Sequence, residues 1–169
     1  MRKFPFLGAL LLIAVWSGCA YRLGPTNGTA AGSRSVQVAP FTDKTLEPRL
    51  NDAVATALRR AIQDDATFHL ATHGDPDVVI SGVLLQYNRH ELALVPTDVL
   101  TVQDYRISVK AQVTARERVS GKVLFDQPVT GYTIIPVGSD LTSAERQAMP
   151  LLADDLARNI NELLSDGIW

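Results

Sequence analysis

The sequence contains few side chains whose types and spacing could support catalysis. It has no Gly-x-Ser-x-Gly or Ser-x-x-Lys motif, no glycine-rich phosphate loop and a single cysteine. Asp64-Asp65 and Asp154-Asp155 are neighbours on predicted helices, where successive side chains point about 100° apart and form no acid–base dyad. His69 and His73 on a predicted strand stand about 13 Å apart, too far to share one metal ion. The sequence therefore predicts neither an enzyme nor a cofactor or metal site.

Cys19 is the one residue for which the sequence predicts a chemical reaction, the attachment of a lipid. Arg2 and Lys3 precede an apolar run over 4–16, which is typical of a secretory signal and shorter than the roughly twenty residues that span a bilayer. Ser17-Gly18-Cys19 resembles the bacterial lipobox, in which the thiol receives a diacylglyceryl group and the cysteine becomes the mature N-terminus. Trp16 stands where Leu, Val or Ile is usual, and a plain secretory signal with an incidental cysteine is the alternative. We predict lipidation of Cys19 and, because Ala20 rather than Asp follows it, release to the outer membrane.

Length and composition predict one domain behind this anchor. Residues 1–18 are the predicted lipoprotein signal peptide, 19–34 a lipidated N-terminus with a flexible linker, and 35–169 a single α+β domain. Without Arg2 and Lys3 the mature chain has fourteen Lys and Arg against eighteen Asp and Glu, a formal net charge of −4. This acidic balance argues against nucleic-acid binding, which needs an evident basic excess.

Hydrophobic periodicity predicts the elements that position these residues. Strands are expected at 36–41, 67–72, 78–87, 105–116 and 122–133, and amphipathic helices at 48–63 and from about Thr142 to 164. Gly82 predicts a bulge or a close helix approach, Pro150 a kink or restart of the last helix, and 88–101 an apolar hairpin tip or loop. The order β-α-β-β-β-β-α predicts a two-layer α+β sandwich, with two helices on one face of a mostly antiparallel four- to five-stranded sheet.

Basic side chains mark the polar side of this predicted sheet. Arg106, Lys110 and Arg116 lie on the polar face of the strand at 105–116, and Arg118 and Lys122 flank the turn that follows. One interpretation is a solvated face that resists aggregation. The other is a patch that contacts anionic phosphates or a partner protein.

Taken together, these features resemble the LPS-assembly lipoprotein LptE family, over Cys19 to about Leu164. The resemblance rests on Cys19-Ala-Tyr-Arg-Leu23, the segment 36–41, Asp77-Val-Val-Ile-Ser-Gly82, Tyr105-Arg-Ile-Ser-Val, Gly121-Lys122-Val-Leu and the closing helix. It implies two helices on a four-stranded sheet and an outer-membrane lipoprotein that plugs the β-barrel LptD and helps lipopolysaccharide reach the outer leaflet. It implies no cofactor and no enzymatic turnover.

Two expectations remain open beside this resemblance. Basic residues at the hairpin tip of the family are implicated in lipopolysaccharide contact, whereas the tip between Leu92 and Thr101 carries only Asp98 as a charged residue. The alternative function is another outer-membrane lipoprotein that serves as a secretion or pilus assembly subunit, pilotin-like or curli-type, with no lipopolysaccharide role. Such proteins also show a D-x-V-x-x-G strand start.

Overall fold

The structure is a computed structural model that describes residues 31–95, 98–136 and 140–166, excluding the side chains of 93–103. The predicted signal peptide and Cys19 therefore lie outside the described residues. In chain order the elements are β1 (Ser35–Val38), β2 (Thr42–Asp43), α1 (Leu50–Asp65), β3 (His69–Leu70), β4 (Val78–Val95), β5 (Asp98–Glu117), β6 (Val123–Pro136) and α2 (Leu141–Asp166). The predicted α+β class is confirmed, and the sheet of the described residues has six strands because the short β2 also pairs with β4.

The sheet is antiparallel in its long strands and parallel in its short ones. Its order is β3-β1-β4-β5-β6. β1 runs parallel to β3 and to β4, and β2 runs parallel to β4, whereas the β4–β5 and β5–β6 pairs are antiparallel. Asp77 fastens β1 to the start of β4, because its carboxylate accepts hydrogen bonds from the Ser35 N–H (2.7 Å) and hydroxyl (2.8 Å). These hydrogen bonds lower the pKa of Asp77, since they favour its charged form. The acidic residue at the start of the D-x-V-x-x-G motif thus has a structural role.

Both helices pack on one face of the sheet and form the core with it. Along β5 the inward residues Ile107, Val109, Ala111, Val113 and Ala115 are fully or almost fully buried, as the strict alternation predicts. They meet the buried faces of the helices, whose largest fully buried members are Leu50, Leu58, Ile62, Leu152, Leu156, Ile160 and Leu164. The same alternation turns the polar side chains of β5 away from the helices.

Asp65, at the C-terminal end of α1, fastens the two helices together. Its carboxylate accepts hydrogen bonds from the Asn161 amide (2.8 Å) and the Ser165 hydroxyl (2.5 Å) on α2, and from the Thr67 hydroxyl (3.0 Å). Burial by itself raises the pKa of Asp65, but these hydrogen bonds outweigh it and lower the pKa. One member of the Asp64-Asp65 pair is therefore committed to helix packing.

The β4–β5 hairpin is longer than predicted. Residues 88–101 were expected to form a tip or loop, but β4 continues to Val95 and β5 begins at Asp98. The register shifts between Leu84 and Gln86, so that Leu84 faces the helices before the shift and Tyr87 packs against the core after it. A bulge inserts one extra residue and reverses the inside–outside parity. The period-2 pattern therefore breaks at Leu85 although the strand continues.

The helix ends also differ from the sequence prediction. The first helix begins at Leu50, so Pro48 precedes it, and Arg49 adopts a left-handed conformation (φ 65°) at its N-terminal cap. The second helix is capped by Asp140, whose carboxylate accepts hydrogen bonds from the N–H groups of Thr142 and Ser143. The spacing of Thr142 and Glu145 in the sequence predicts a capping box, but Thr142 lies inside the helix and Asp140 caps it. Pro150 lies within a helix that continues from Leu141 to Asp166.

Candidate functional site

On the side of the sheet that faces away from the helices no other described element is packed, and we call this side the open face. It consists of the outward side chains of β4, β5 and β6, paired in rows across the three strands. Most of them are polar, but Tyr132 and Ile134 are 52% and 50% exposed. The open face therefore combines hydrogen-bonding groups with uncovered apolar area.

Arg106 and Lys110 lie on the half of the open face nearer the hairpin tip. Arg106 is directly opposite Ile134 on β6, and its guanidinium lies 5.2 Å from the centroid of the Tyr132 ring. A cation at this distance from an aromatic face is held by the ring quadrupole, so the guanidinium is oriented along the sheet. Lys110 is opposite Thr130, about 13 Å from Arg106 along the strand, and makes no ion pair with a described residue. Two exposed cations thus border an apolar patch.

The other three predicted basic residues lie at the opposite end of the sheet. Arg116 donates to the Gly121 carbonyl within the β5–β6 turn (2.9 Å). Arg118 donates to the Pro76 carbonyl (3.1 Å) and forms an ion pair with Asp75 (3.2 Å), which fastens this turn to the one before β4. Lys122 is exposed in the turn itself.

The separation of these two groups divides the predicted basic patch. Arg106 and Arg116 are ten residues apart along β5, which corresponds to about 33 Å. One small anionic ligand cannot contact both ends at once. Arg106 and Lys110 therefore have donors available to a ligand near the tip, and the exposed Lys122 has them at the opposite end, whereas Arg116 and Arg118 use guanidinium donors to hold the turn.

A charged cluster that the sequence did not suggest lies on the opposite, helix-facing side of β4. Arg89 forms ion pairs with Glu145 in the first turns of α2 and with Glu47 (3.5 Å) before α1. Tyr87 lies beneath it, with the guanidinium 5.5 Å from the ring centroid. Burial, reinforced by the two carboxylates, raises the pKa of Tyr87 to about 12. The four residues come from three separate segments, so no local sequence pattern could have identified the cluster.

The described residues include no group of three or more His, Cys, Asp or Glu side chains that could hold a metal ion. Asp155, like Asp65, is committed to structure, since its carboxylate accepts a hydrogen bond from the Tyr132 N–H (2.9 Å). Within the same described part of the chain, no helix is long and apolar enough to cross a membrane.

Solved structures share this architecture at low sequence identity. Protein XCC0632 from Xanthomonas campestris aligns with a TM-score of 0.62 and 11% identity, over 85% of this chain and 90% of that protein. The hypothetical protein CT253 from Chlamydia trachomatis gives a TM-score of 0.58 and 12% identity, over 82% and 98%. A minor lipoprotein from Acinetobacter baumannii gives 0.52 and 14%, over 78% and 92%. At these identities the likeness concerns the fold alone.

Comparison with protein families is more specific. No curated protein sequence matches the chain. A family model described as LptE, lipopolysaccharide-assembly, matches residues 33–164, which include all eight described strands and helices except the last two residues of α2. The family predicted from the strand and turn motifs is thereby confirmed, and the chain belongs to the LptE family of lipopolysaccharide-assembly proteins.

Proposed function

We propose that this protein is the lipid-anchored partner of an LptD-like outer-membrane β-barrel and assists the transport of lipopolysaccharide to the outer leaflet. The match to the lipopolysaccharide-assembly family across residues 33–164 is the observation that carries the proposal. In this role the protein acts as a plug and assembly factor, without a cofactor and without enzymatic turnover.

The anchor in this proposal is acylated Cys19, after removal of residues 1–18. The described chain enters the fold at the end of the sheet that carries the β5–β6 turn, because Arg34 forms an ion pair with Glu117 (2.9 Å) and Ser35 is bonded to Asp77. The 18 residues of β4 run from this end towards the hairpin tip, a distance of about 60 Å. The hairpin can therefore reach deep into a barrel while the other end stays close to the membrane anchor.

The tip-side half of the open face is the proposed contact for lipopolysaccharide. Arg106 and Lys110 provide charged donors for phosphate groups, and Tyr132 and Ile134 provide apolar area for the adjoining acyl chains. Hydrogen bonds to phosphate are among the stronger polar contacts, because both partners are charged. Arg116, Arg118 and Lys122 are left out of this contact since they lie at the opposite end of the sheet.

Charge reversal tests the lipopolysaccharide contact. We expect Arg106→Glu combined with Lys110→Glu to weaken binding at low salt by at least about thirtyfold, since each basic residue near an anionic surface contributes about 1 kcal/mol and the new carboxylates add repulsion. The matched control is Arg60→Glu combined with Arg158→Glu, which changes the net charge equally but alters exposed residues of the helix layer. Unchanged affinity in the first double variant would show that the open face is only a solvated surface.

Depletion of the protein in cells tests the proposed function itself. We expect the LptD-like barrel to accumulate unfolded or with incorrect disulfides, and lipopolysaccharide to be lost from the cell surface. The complementary measurement is affinity purification of the lipidated protein. Recovery of a secretin, or a normally folded barrel after depletion, would contradict the proposal and favour a secretion-assembly role.

A further inference from the structure

The upper part of β4 has an edge whose backbone groups are not used by the sheet. Beyond Leu84, which accepts a hydrogen bond from the Lys44 N–H (3.0 Å), no described strand lies beside β4 on the side away from β5. We call the regular stretch from Gln86 to Glu91, bounded by register shifts on both sides, the β4 edge. Whether another strand can pair with this edge depends on which of its N–H and C=O groups point away from β5.

The hydrogen-bonding pattern of the neighbouring strands fixes that direction. Along a strand of an antiparallel pair, the backbone N–H and C=O groups of one residue form hydrogen bonds with the opposite strand, and those of the next residue point away from it. On β6 the Tyr132 N–H and the Thr130 carbonyl bond to side chains of α2, so both point away from β5. Tyr132 is opposite Ser108, whose backbone groups therefore point towards β4, and Ser108 is opposite Asn88, whose backbone groups point towards β5. The next residues on β4 alternate with Asn88, so the N–H and C=O groups of Tyr87, Arg89 and Glu91 point away from β5. No described residue pairs with these backbone groups.

The opposite edge of the sheet is protected in several ways. Asp155 and Asn159 of α2 bond to the Tyr132 N–H (2.9 Å) and the Thr130 carbonyl (2.8 Å), which occupies edge groups of β6. The same alternation places Pro128 and Pro136 at positions where an edge N–H would point outward, and proline has none. Proteins protect sheet edges in these ways against pairing with other chains. Within the described part of the chain, pairing is therefore obstructed at β6 and left open at β4.

Apolar side chains flank the β4 edge. Leu85 and Leu92, at its two ends, are 37% and 42% exposed. Leu46 is 93% exposed, and its neighbours Lys44 and Glu47 contact Leu84 and Arg89, so it lies beside the start of the edge. An added strand would therefore gain apolar contacts besides main-chain hydrogen bonds. This combination is the one used by proteins that bind an extended peptide at a sheet edge.

We propose that the β4 edge binds an extended segment of the β-barrel partner as an additional strand. The inference rests on the proposed function, because that function supplies the partner. A second copy of this chain is a poorer occupant, since the antiparallel register that uses all the outward groups of Tyr87, Arg89 and Glu91 places the cluster of Arg89, Glu47 and Glu145 opposite an identical cluster. Each cluster, with one Arg and two Glu, carries a formal charge of −1. Like charges directly opposite each other destabilise a strand pair.

Proline substitution at Glu91 tests the proposal, with the lipidated protein co-expressed with the barrel. Glu91→Pro removes one outward N–H and leaves the β4–β5 hydrogen bonds intact, because the backbone groups of Glu91 point away from β5. The side-chain control is Glu91→Ala, which keeps the N–H. The edge control is Thr130→Pro, which removes an outward N–H from the protected β6 edge. We expect at least tenfold less barrel to co-purify with Glu91→Pro, and wild-type recovery with both controls.

Hydrogen exchange on the wild-type complex provides a second measurement that does not depend on a folded variant. The amides of Tyr87, Arg89 and Glu91 should exchange at least tenfold more slowly in the complex than in the free protein. Normal recovery of the barrel by folded Glu91→Pro, or unchanged exchange of these amides in the complex, would overturn the inference while leaving the proposed function intact. Failure of the wild-type protein to recover any barrel would instead overturn the proposed function. A homodimer lost in Glu91→Pro would assign the edge to a second copy and refute the barrel segment as its occupant.

Discussion

Gly82 provides a direct test of how tightly the sheet is packed. A Cβ atom at this position would lie 2.4 Å and 2.8 Å from two ring carbons of Phe41 and 3.0 Å from the Gln112 carbonyl oxygen. Carbon atoms normally approach to about 3.5–4.0 Å, so the Phe41 ring would have to move by about 1 Å. Phe41 is only 4% exposed and belongs to the core, which leaves little room for this movement. Gly82 is therefore a site of close approach, but the side chain of Phe41 makes it, and the predicted helix approach is wrong.

The expected magnitude for Gly82→Ala follows from two opposing effects. Overpacking a core usually costs about 1–3 kcal/mol. Replacing glycine by alanine within a regular element recovers about 0.5–1 kcal/mol of conformational entropy. We therefore expect the free energy of unfolding to fall by about 1–2 kcal/mol, as measured by urea unfolding followed by far-UV circular dichroism.

A double-mutant cycle with Phe41→Ala identifies the cause. Phe41→Ala alone should cost about 3–5 kcal/mol, but it removes the ring that Gly82→Ala would meet. In this background Gly82→Ala should be neutral or slightly stabilising, which gives a coupling energy of about 1–3 kcal/mol. Equal destabilisation in both backgrounds would refute the reasoning.

Gly131 supplies the matched control for this cycle. Its Cβ would lie 2.6 Å and 2.7 Å from the backbone N and Cα of Leu156 on α2. Truncation of a side chain cannot relieve a clash with backbone atoms. Gly131→Ala should therefore destabilise the wild-type protein and the Leu156→Ala variant alike, and rescue by Leu156→Ala would contradict this account.

Two further predictions concern the helix junction and the protected sheet edge. Asp65→Ala should lower the free energy of unfolding at neutral pH by about 1 kcal/mol, since it removes charge-assisted hydrogen bonds at a largely exposed site. Because the pKa of Asp65 is lower in the folded state, this contribution is present above the unfolded pKa of about 3.9 and disappears as the pH falls through the folded pKa. Urea unfolding of both proteins should therefore converge in acid, and a constant difference would contradict the assignment. Asp155→Ala combined with Asn159→Ala should expose the β6 edge and increase self-association in analytical ultracentrifugation. The control Glu162→Ala, on the same helix, should not change self-association. A monomeric double variant would show that the prolines protect the edge sufficiently.

The two ends of the sheet have different tasks in the proposed function. At the anchor end, Arg34, Asp77 and Arg118 join β1 to the turns around it, which holds the entry point of the chain in place. Towards the tip, Arg89 fastens β4 to Glu47 and Glu145. The proposed lipopolysaccharide contact and the β4 edge both lie on this supported upper part of the sheet, on different surfaces of it. A ligand and a partner segment could therefore be bound at the same time.

The elements with a regular period could be predicted from the sequence. The alternation from Tyr105 to Arg116 specified a strand with one buried side, and the stripes of both helices specified which surfaces they bury. These patterns depend only on the local geometry of the backbone, which has a fixed period. The family could also be inferred, because the order of the strand starts and turns survives in the sequence. The lipidation of Cys19 remains a prediction from sequence.

Tertiary structure decided which residues meet. The sequence placed Arg106, Lys110, Arg116, Arg118 and Lys122 in one group, but the length of β5 separates them into two, and pairing with the turns engages Arg116 and Arg118. The predicted strand ended at Tyr87 instead of Val95, because the bulge at Leu85 reverses the alternation and the residues beyond it do not continue the pattern of 78–84. The Arg89 cluster and the contrast between the two sheet edges arise from segments far apart in the chain. Contacts of this kind depend on register and on the crossing of distant elements, which no local period encodes.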